Sequence, residues 1–480
     1  MSKNYYVATA IPYVNARPHL GHAILHTYAD AFARYHRQQG DSVLYSAGTD
    51  EHGGKIAEAA EKAGKTPQKL VDGISASFKD GLAQLGISND RFIRTTDPKH
   101  EKIATKIWKD LSDDIYKNSY IGMYCTGCEE FKTEAYIKET NGICPNHNRE
   151  YEKVEEENYF FRLSKYEAQI KDAIISGKFN VQPKSRRNEI LGVIKEGLED
   201  ISISRSAEKV SWGIPVPGDK SQVMYVWFEA LMNYITTLDY PDGDDFKKFW
   251  PANMQVIGKD ILRFHAAIWP AMLFGLGLDL PKTLYVHGFV TNEGQKMSKS
   301  LGNVVDPLDV VSKYGLDAFR YYIFRHGPAS EDVDFSWDKF ETAYNSELAN
   351  ELGNAVQRVS AMIKKYQNGV IGELSDSKHD VGQYHAAIAE CRFDRALDAV
   401  WDQVRGLNQY IEEEKPWQIA KEKDDDHLKE VLAEAASSLM EIADLLVPFL
   451  PGTAEKIQYV FSEGVIRPLD DASLFPKHEG

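Results

Sequence analysis

Along the N-terminal third of the chain, apolar and polar positions switch between two periods. Residues 5–11 form a short β-prone apolar run closed by Pro12 and a polar turn. From residue 23 to 39 the apolar positions recur at helical spacing (Ile24, Tyr28, Ala31, Phe32, Tyr35), and Gly40 stands where a C-terminal cap belongs. Residues 42–46 read as a second strand leading into Gly48-Thr49-Asp50-Glu51-His52-Gly53. Strand, helix and strand at these lengths make a βαβ unit, which predicts a parallel sheet open to ligands at its strand ends. Residues 120–160 are turn-rich and hold no sustained period. A second α/β stretch begins near Met224 with Tyr225-Val226-Trp227, followed by strands at 255–258 and 283–286. From about residue 341 the pattern is almost wholly helical: Leu348, Leu352, Val356 and Val359 mark one apolar stripe, and further helices are expected over 382–413 and 426–449. There is no fixed-period repeat. The plan is a split α/β domain, a turn-rich insert and a helical tail.

Composition narrows the class. A length of 480 residues suggests about three domains, and a 43% hydrophobic share is too high for a mainly disordered chain. No apolar run approaches the roughly 18–20 residues of a membrane span; the best stretch, 266–280, is broken by Pro270 and carries Asp279. Met1-Ser2-Lys3-Asn4 shows neither a secretory signal nor a transit pattern, so a soluble, cytoplasmic protein without membrane contact is expected. The formal charge of −16 argues against bulk attraction to nucleic acid but leaves room for a local basic groove. Four cysteines are too few for a disulfide scaffold. Three of them cluster, and the fourth, Cys391, reads as a buried apolar residue in a helical context.

Three constellations carry chemistry. Pro18-His19-Leu20-Gly21-His22 lies between the first strand and the first helix, where unpaired N–H groups and the positive dipole end suit phosphate; two solvent-facing histidines would give the same spacing. Lys296-Met297-Ser298-Lys299-Ser300 sits between Gly294 and Gly302, and its two amines can swing onto a polyphosphate, although an ordinary solvated basic loop looks alike. Cys125-x2-Cys128, fifteen residues, then Cys144-x2-His147 offers two paired turns able to close a tetrahedron around one structural Zn2+, with Gly122, Gly127 and Gly142 supplying tight turns. Gly48 to Lys55 superficially suggests a phosphate-binding P-loop, but its Gly-Lys step is out of register and Ile56 replaces the hydroxyl residue.

The histidine turn and the lysine loop together resemble the two signatures of class I aminoacyl-tRNA synthetases. Several segments resemble the methionine-specific family, the methionyl-tRNA synthetases, in the expected order over about residues 4–460. They are Ala10-Ile11-Pro12-Tyr13-Val14-Asn15, Gly48 to Gly53, Ser211-Trp212-Gly213-Ile214-Pro215-Val216-Pro217, Tyr225 to Ala230, Gly258-Lys259-Asp260 and Val286-His287-Gly288-Phe289-Val290. The resemblance implies a split Rossmann-like parallel-sheet catalytic domain with an inserted zinc knuckle and a C-terminal helical bundle. The expected divisions are 1–115 and 223–290 for the catalytic halves, 116–222 for the insert, 291–345 for the lysine loop and stem-contact region, and 346–480 for anticodon binding. It implies attachment of methionine to tRNA(Met) through methionyl-adenylate, with ATP and Mg2+, releasing pyrophosphate and AMP.

By the same resemblance, His19, His22, Lys296 and Lys299 are catalytic, and Gly21, Gly258 and Asp260 join them in binding ATP. Ile11, Tyr13, Trp227, Ala230, Leu231, Tyr234, Ile261 and His265 line the methionine pocket, which periodicity alone would assign to the core, and Asp50 holds the α-ammonium. Relatives often carry Asp at the position of Glu229, and some carry Pro at that of Leu231. Asn354 and Arg358, about 200° around their helix from the apolar stripe, match anticodon readers together with Trp417. A second class I ligase and a non-catalytic tRNA-binding derivative are the rival readings. The helical region ends the sequence without a C-terminal β-barrel, so a monomer is expected.

Overall fold

Six parallel strands form the central sheet of the computed structural model: β1 Asn4–Thr9, β2 Ser42–Thr49, β3 Arg91–Arg94, β4 Asn180–Gln182, β5 Met254–Gly258 and β6 Thr283–His287, in the order β3-β2-β1-β5-β6-β4. The structure describes every residue except 1, 15–18, 128–129, 133, 146–147, 293–294, 297–304, 376–379, 463, 470–472 and 478–480. Strands covered on both faces read as continuous apolar runs, and Tyr5, Tyr6, Val7, Ala8 and Thr9 of β1 are all buried. The chain order reverses between β1 and β5, so a crevice opens beyond their carboxyl ends.

The insert is built on an antiparallel pair, Ile115–Cys125 with Glu152–Phe161, flanked by Glu130–Lys132 and Ile201–Ser202. β4 comes from within the span expected to be insert, and its three residues close the edge of the main sheet. The second α/β stretch, expected to begin near Met224, opens on Asp219–Met224, a strand of a three-stranded antiparallel sheet, and the chain enters the helix Val226–Ala230 directly after Tyr225. The aromatic and β-branched run there suits either conformation locally, and packing decides.

Most of the remaining chain is helical. The helix expected over 382–413 divides into Gly382–Ala389 and Phe393–Glu414, because Cys391 adopts a left-handed φ of 58° between them. Cys391 is buried as expected. Tyr344–Gly353 is wound as a π-helix before Asn354–Tyr366 continues as an α-helix.

The helix α1, Leu20–Gln38, joins the central sheet to the C-terminal helices. Its residue Asp30 is fully buried and takes Arg34 at 2.7 Å, Ser88 at 2.6 Å and Arg320 at 2.8 Å. Burial alone would raise the Asp30 carboxyl, but the two guanidiniums outweigh it and hold it below its usual range. Arg320, from the helix Leu316–His326, also donates to the carbonyls of Phe449 and Pro448 at 2.7 and 3.0 Å. Tyr28 stacks on Phe393 with centroids 5.2 Å apart, Tyr35 meets His385 at 2.8 Å, and Gln38 donates to the Asp444 carbonyl. Among the described residues, no helix is long and apolar enough to cross a membrane.

Candidate active site

Of the predicted catalytic and ligand-binding residues, His19, Asp50, Gly258, Asp260 and Lys296 lie at or beyond the carboxyl ends of β1, β2, β5 and β6. His19 caps α1: its Nδ1 accepts the Gly21 N–H at 3.1 Å, while the His19 N–H donates to His22 Nδ1 at 3.3 Å. The rings stack with centroids 3.7 Å apart. Because both Nδ1 atoms accept backbone N–H groups, each ring carries its proton on Nε2 and offers a donor there. Burial, together with His19, His26 and His287 nearby, pushes the His22 imidazole well below its usual range and keeps it neutral. No acidic residue occupies the first turn, so the helix dipole is left to an anion. A Cβ at Gly21 would stand 3.1 Å from the His19 ring, so this glycine makes room for the imidazole itself.

Across the crevice, a Cβ at Gly258 would approach Asp260 Oδ1 to 2.9 Å. The small residue therefore clears space for the Asp260 carboxylate, which is exposed beyond β5. Asp50, buried at the end of β2, pairs by backbone with the segment after β1: the Val14 N–H donates to its carbonyl at 3.1 Å and its own N–H donates to Pro12 at 2.9 Å. Tyr13 lies alongside in parallel register.

Trp227, Ala230, Leu231 and Tyr234 follow Tyr225 on consecutive short helices. Ala230, Leu231, Tyr234 and His265 are buried, whereas Ile11, Tyr13, Trp227 and Ile261 remain half-buried. Trp227 stacks on Phe264 at 4.4 Å. His265 lies in a π-turn, Phe264–Ile268, a departure from α geometry common at functional sites. Its Nδ1 bonds the Ile261 carbonyl at 3.0 Å and its Nε2 meets the Tyr234 hydroxyl at 2.8 Å. A carbonyl only accepts, so Nδ1 carries the proton and Tyr234 donates to Nε2. Burial lowers the His265 pKa to about 4, so the pair is neutral.

Sequence reasoning missed the polar network beneath this wall. Glu229 is fully buried, with His52 Nδ1 at 2.9 Å and His100 Nε2 at 2.8 Å. Burial alone would lower the His52 pKa, but Glu229, Glu101 and Asp50 raise it to about 10; burial likewise opposes the Glu229 charge, yet the two histidines hold it below its usual range. Beside it, Glu51 receives both arms of Arg94 at 2.8 Å, and its carbonyl accepts Trp212 Nε1–H at 2.7 Å. The one available signal was three successive titratable residues, Asp50-Glu51-His52, placed directly after a buried strand.

Gln295–Lys296 pairs with Val290–Asn292 in a hairpin leaving β6. Lys299 lies outside the described residues, as do Cys128 and His147. Cys125 and Cys144 are both fully buried in one small cluster with Tyr151. Among the described residues no group of three or more His, Cys, Asp or Glu side chains is placed to hold a metal. Asn354 is exposed and Arg358 partly so, on the outward face of their helix, where Arg358 pairs with Glu412 at 2.6 Å. Trp417 is half-buried against the helical core. A cavity of about 300 Å3 lies elsewhere, between the helix bearing Asn354 and residues 460–474; it contains none of the predicted site residues.

The family described as tRNA synthetases class I (M) matches residues 5–153 and 147–360. The methionine–tRNA ligase of Caldanaerobacter subterraneus subsp. tengcongensis is 44% identical over 474 residues, covering 95% of this chain and 74% of that protein. The Streptomyces coelicolor methionine–tRNA ligase is 41% identical over 481 residues, covering 95% and 89%. The structure of Mycobacterium tuberculosis methionyl-tRNA synthetase in complex with methionyl-adenylate superposes with a TM-score of 0.91 at 34% identity, over 99% of this chain and all of that one. Its free form gives a TM-score of 0.85 at 30% identity.

Proposed function

The chain belongs to the methionyl-tRNA synthetases of class I, and from that membership we propose how its own residues divide the work. The reaction is ATP-dependent attachment of methionine to tRNA. The methionine carboxylate attacks the α-phosphorus of ATP, pyrophosphate leaves, and a tRNA 3′-terminal hydroxyl then displaces AMP from methionyl-adenylate. Positioning and charge neutralisation supply most of the catalysis, so no covalent enzyme intermediate is required.

The observation that carries our assignment is the stacked His19–His22 pair at the α1 N-terminus, placed at the chain reversal between β1 and β5. Their Nε2–H groups donate to phosphate oxygens, and Lys296 and Lys299 close over the departing pyrophosphate. Gly21 makes room for the His19 ring and Gly258 for the Asp260 carboxylate, which takes the ribose of the nucleotide. Mg2+ brought with ATP would add charge neutralisation on the polyphosphate beside these residues. Asp50 accepts the methionine α-ammonium through a charge-assisted bond. Ile11, Tyr13, Trp227, Ala230, Leu231, Tyr234, Ile261 and His265 enclose the side chain. The Tyr234 and His265 hydrogens are spent on each other and on Ile261, so this pair offers a thioether no unsatisfied donor. A polar side chain of similar size would lose its hydration without compensation there.

In the insert, Cys125 and Cys144 share one buried cluster, which fits two of four ligands for a single structural Zn2+ completed by Cys128 and His147. The metal would fix the knuckle's turns and takes no part in the chemical steps. Asn354, Arg358 and Trp417 read the anticodon of tRNA(Met) by hydrogen bonding and stacking. A cytoplasmic monomer accompanies this reading, and a stable dimer in light scattering at micromolar concentration would contradict it. The decisive test of the assignment is methionine-dependent exchange of labelled pyrophosphate into ATP. His19→Ala and His22→Ala should each lower exchange kcat about a hundredfold, and wild-type exchange in both would reject the phosphate role.

A further inference from the structure

Three segments distant in sequence meet just beyond β5 and β6. Lys259, between Gly258 and Asp260, sets its Nζ 2.6 Å from Asp332 Oδ2, and its ammonium lies 4.6 Å from the centre of the Phe289 ring. The second oxygen of Asp332 accepts the Phe289 N–H at 2.9 Å. Phe289 leads into Val290–Asn292, the first arm of the hairpin, where Thr291 stands opposite Lys296. On its other side the same arm runs parallel to Val333–Phe335, and the Val333 N–H returns a bond to the Phe289 carbonyl at 3.0 Å. A Cβ at Gly288 would stand 2.4 Å from the Glu331 carbonyl oxygen, so glycine is required for this approach. Among the described residues, the base of the lysine hairpin is held by a backbone seam that begins with the Gly288 N–H on the Pro328 carbonyl at 2.8 Å and continues along 333–335, by the Thr291 hydroxyl donating to Asp334 at 2.7 Å, and by the ionic tie to the turn that carries Asp260.

The tie is an unusual investment for stability alone. The Lys259 side chain is 25% exposed and that of Asp332 42%, a setting in which ion pairs add little to folding. Arg186 also acts on Asp332 through space, but its own guanidinium is engaged by Glu189 at 2.6 Å. What the pair does join is the Gly258–Asp260 turn and the base of the lysine hairpin, the segments that leave the neighbouring strands β5 and β6 beside the nucleotide crevice.

We propose that Lys259 and Asp332 are positioning residues for adenylate formation: Asp332 holds the Phe289 backbone, Lys259 holds Asp332, and together they set the base of the Lys296 hairpin against the Gly258–Asp260 turn. The proposal rests on the reading of Lys296 as a pyrophosphate-binding amine. A displacement of about 1 Å between reacting groups costs on the order of a hundredfold in rate, so a partial shift from loosening the one ionic anchor should cost about tenfold.

The test uses the full chain with Lys259→Met, Asp332→Asn, their combination, Lys259→Arg and, as a reference, Lys296→Ala. Pyrophosphate exchange gives kcat and the methionine KM; thermal unfolding is followed in parallel. Each single neutralising variant is expected to lower kcat about tenfold, with methionine KM within about twofold and the unfolding temperature unchanged. The combined variant should be no worse than the poorer single one, as for two members of one unit, and Lys259→Arg should recover most of the rate because it keeps both the ion pair and the ring contact. The proposal is overturned by wild-type kcat in the neutralising variants while Lys296→Ala is impaired, by additive losses, or by a kcat loss matched by lower thermal stability. Wild-type exchange by Lys296→Ala would instead remove the hairpin's assigned role, and this proposal with it.

Discussion

Replacing Glu229 by glutamine removes one charge from the buried network and changes almost nothing in shape. In the wild-type chain the carboxylate accepts from His52 at 2.9 Å and bonds His100 at 2.8 Å, with Glu229 and His100 fully buried. A hydrogen bond to a charged group is worth about 1.5–3 kcal/mol and a neutral one about 0.5–1.5, so the two bonds together should lose about 2–3 kcal/mol. The pH dependence gives a second, independent signature. The folded-state pKa of His52 is raised from 6.5 to about 10, so its contribution is complete below about 6.5 and is lost as pH rises through about 10. Glu229 is held below its usual value, so its contribution is present above about 4.5 and is lost as pH falls through the depressed value. The network is therefore strongest between about pH 4.5 and 6.5. Urea unfolding of wild type and Glu229→Gln at pH 5.5, 7.5 and 9.5, read by tryptophan fluorescence, should show the gap largest at the lowest pH; Trp212, 5.6 Å from the His52 ring, reports locally. Equal stability at pH 5.5, or a gap that widens toward pH 9.5, would refute the account.

Four further outcomes are expected. Tyr234→Phe strands His265 Nε2 in the buried wall, costing about 1–2 kcal/mol; methionine KM in pyrophosphate exchange should rise roughly tenfold while kcat stays within about twofold. Because burial holds His265 at about 4, methionine KM should stay flat from about pH 8 to 5.5 and climb below about 5, as buried imidazolium forms; a rise centred near 6.5 would contradict this. Trp417→Ala should raise the tRNA KM by about tenfold or more through lost base stacking and leave pyrophosphate exchange intact, as aminoacylation assays would show. Elemental analysis should find about one zinc per chain, with Cys144→Ser losing it.

Much of the site was legible because its residues are local in sequence. The His19–His22 turn, the Gly258–Asp260 turn and the helix carrying Trp227 each follow a strand or extended segment whose apolar run is visible, and the structure places them at one crevice. Tyr234 and His265 entered through the family resemblance, since periodicity alone put them in the core, and their pairing and proton arrangement needed distances. The Glu229 network was not legible, since His52 and His100 stand 177 and 129 residues away and no local period links them. Neither was β4, whose three residues join the main sheet through pairing with β6. The turn at Cys391 was hidden by an apolar pattern that continues across it: a left-handed residue interrupts hydrogen bonding without interrupting hydrophobicity. The π-wound stretch Tyr344–Gly353 likewise keeps its buried Leu348 and Leu352 while its winding differs from the α spacing read from the sequence.

The first helix acts as a keel. Its leading end presents the paired imidazoles, its middle anchors Asp30 to a guanidinium that also grips the Pro448 and Phe449 carbonyls, and its trailing half is packed by Phe393 and His385. Severing the chain near residue 346 would thus do more than delete a recognition module. It would strip partners from Tyr28 and Tyr35 and leave the Arg320 guanidinium with fewer acceptors, so a fragment pared down to the nucleotide sheet would inherit a wounded scaffold under its own reactive turn.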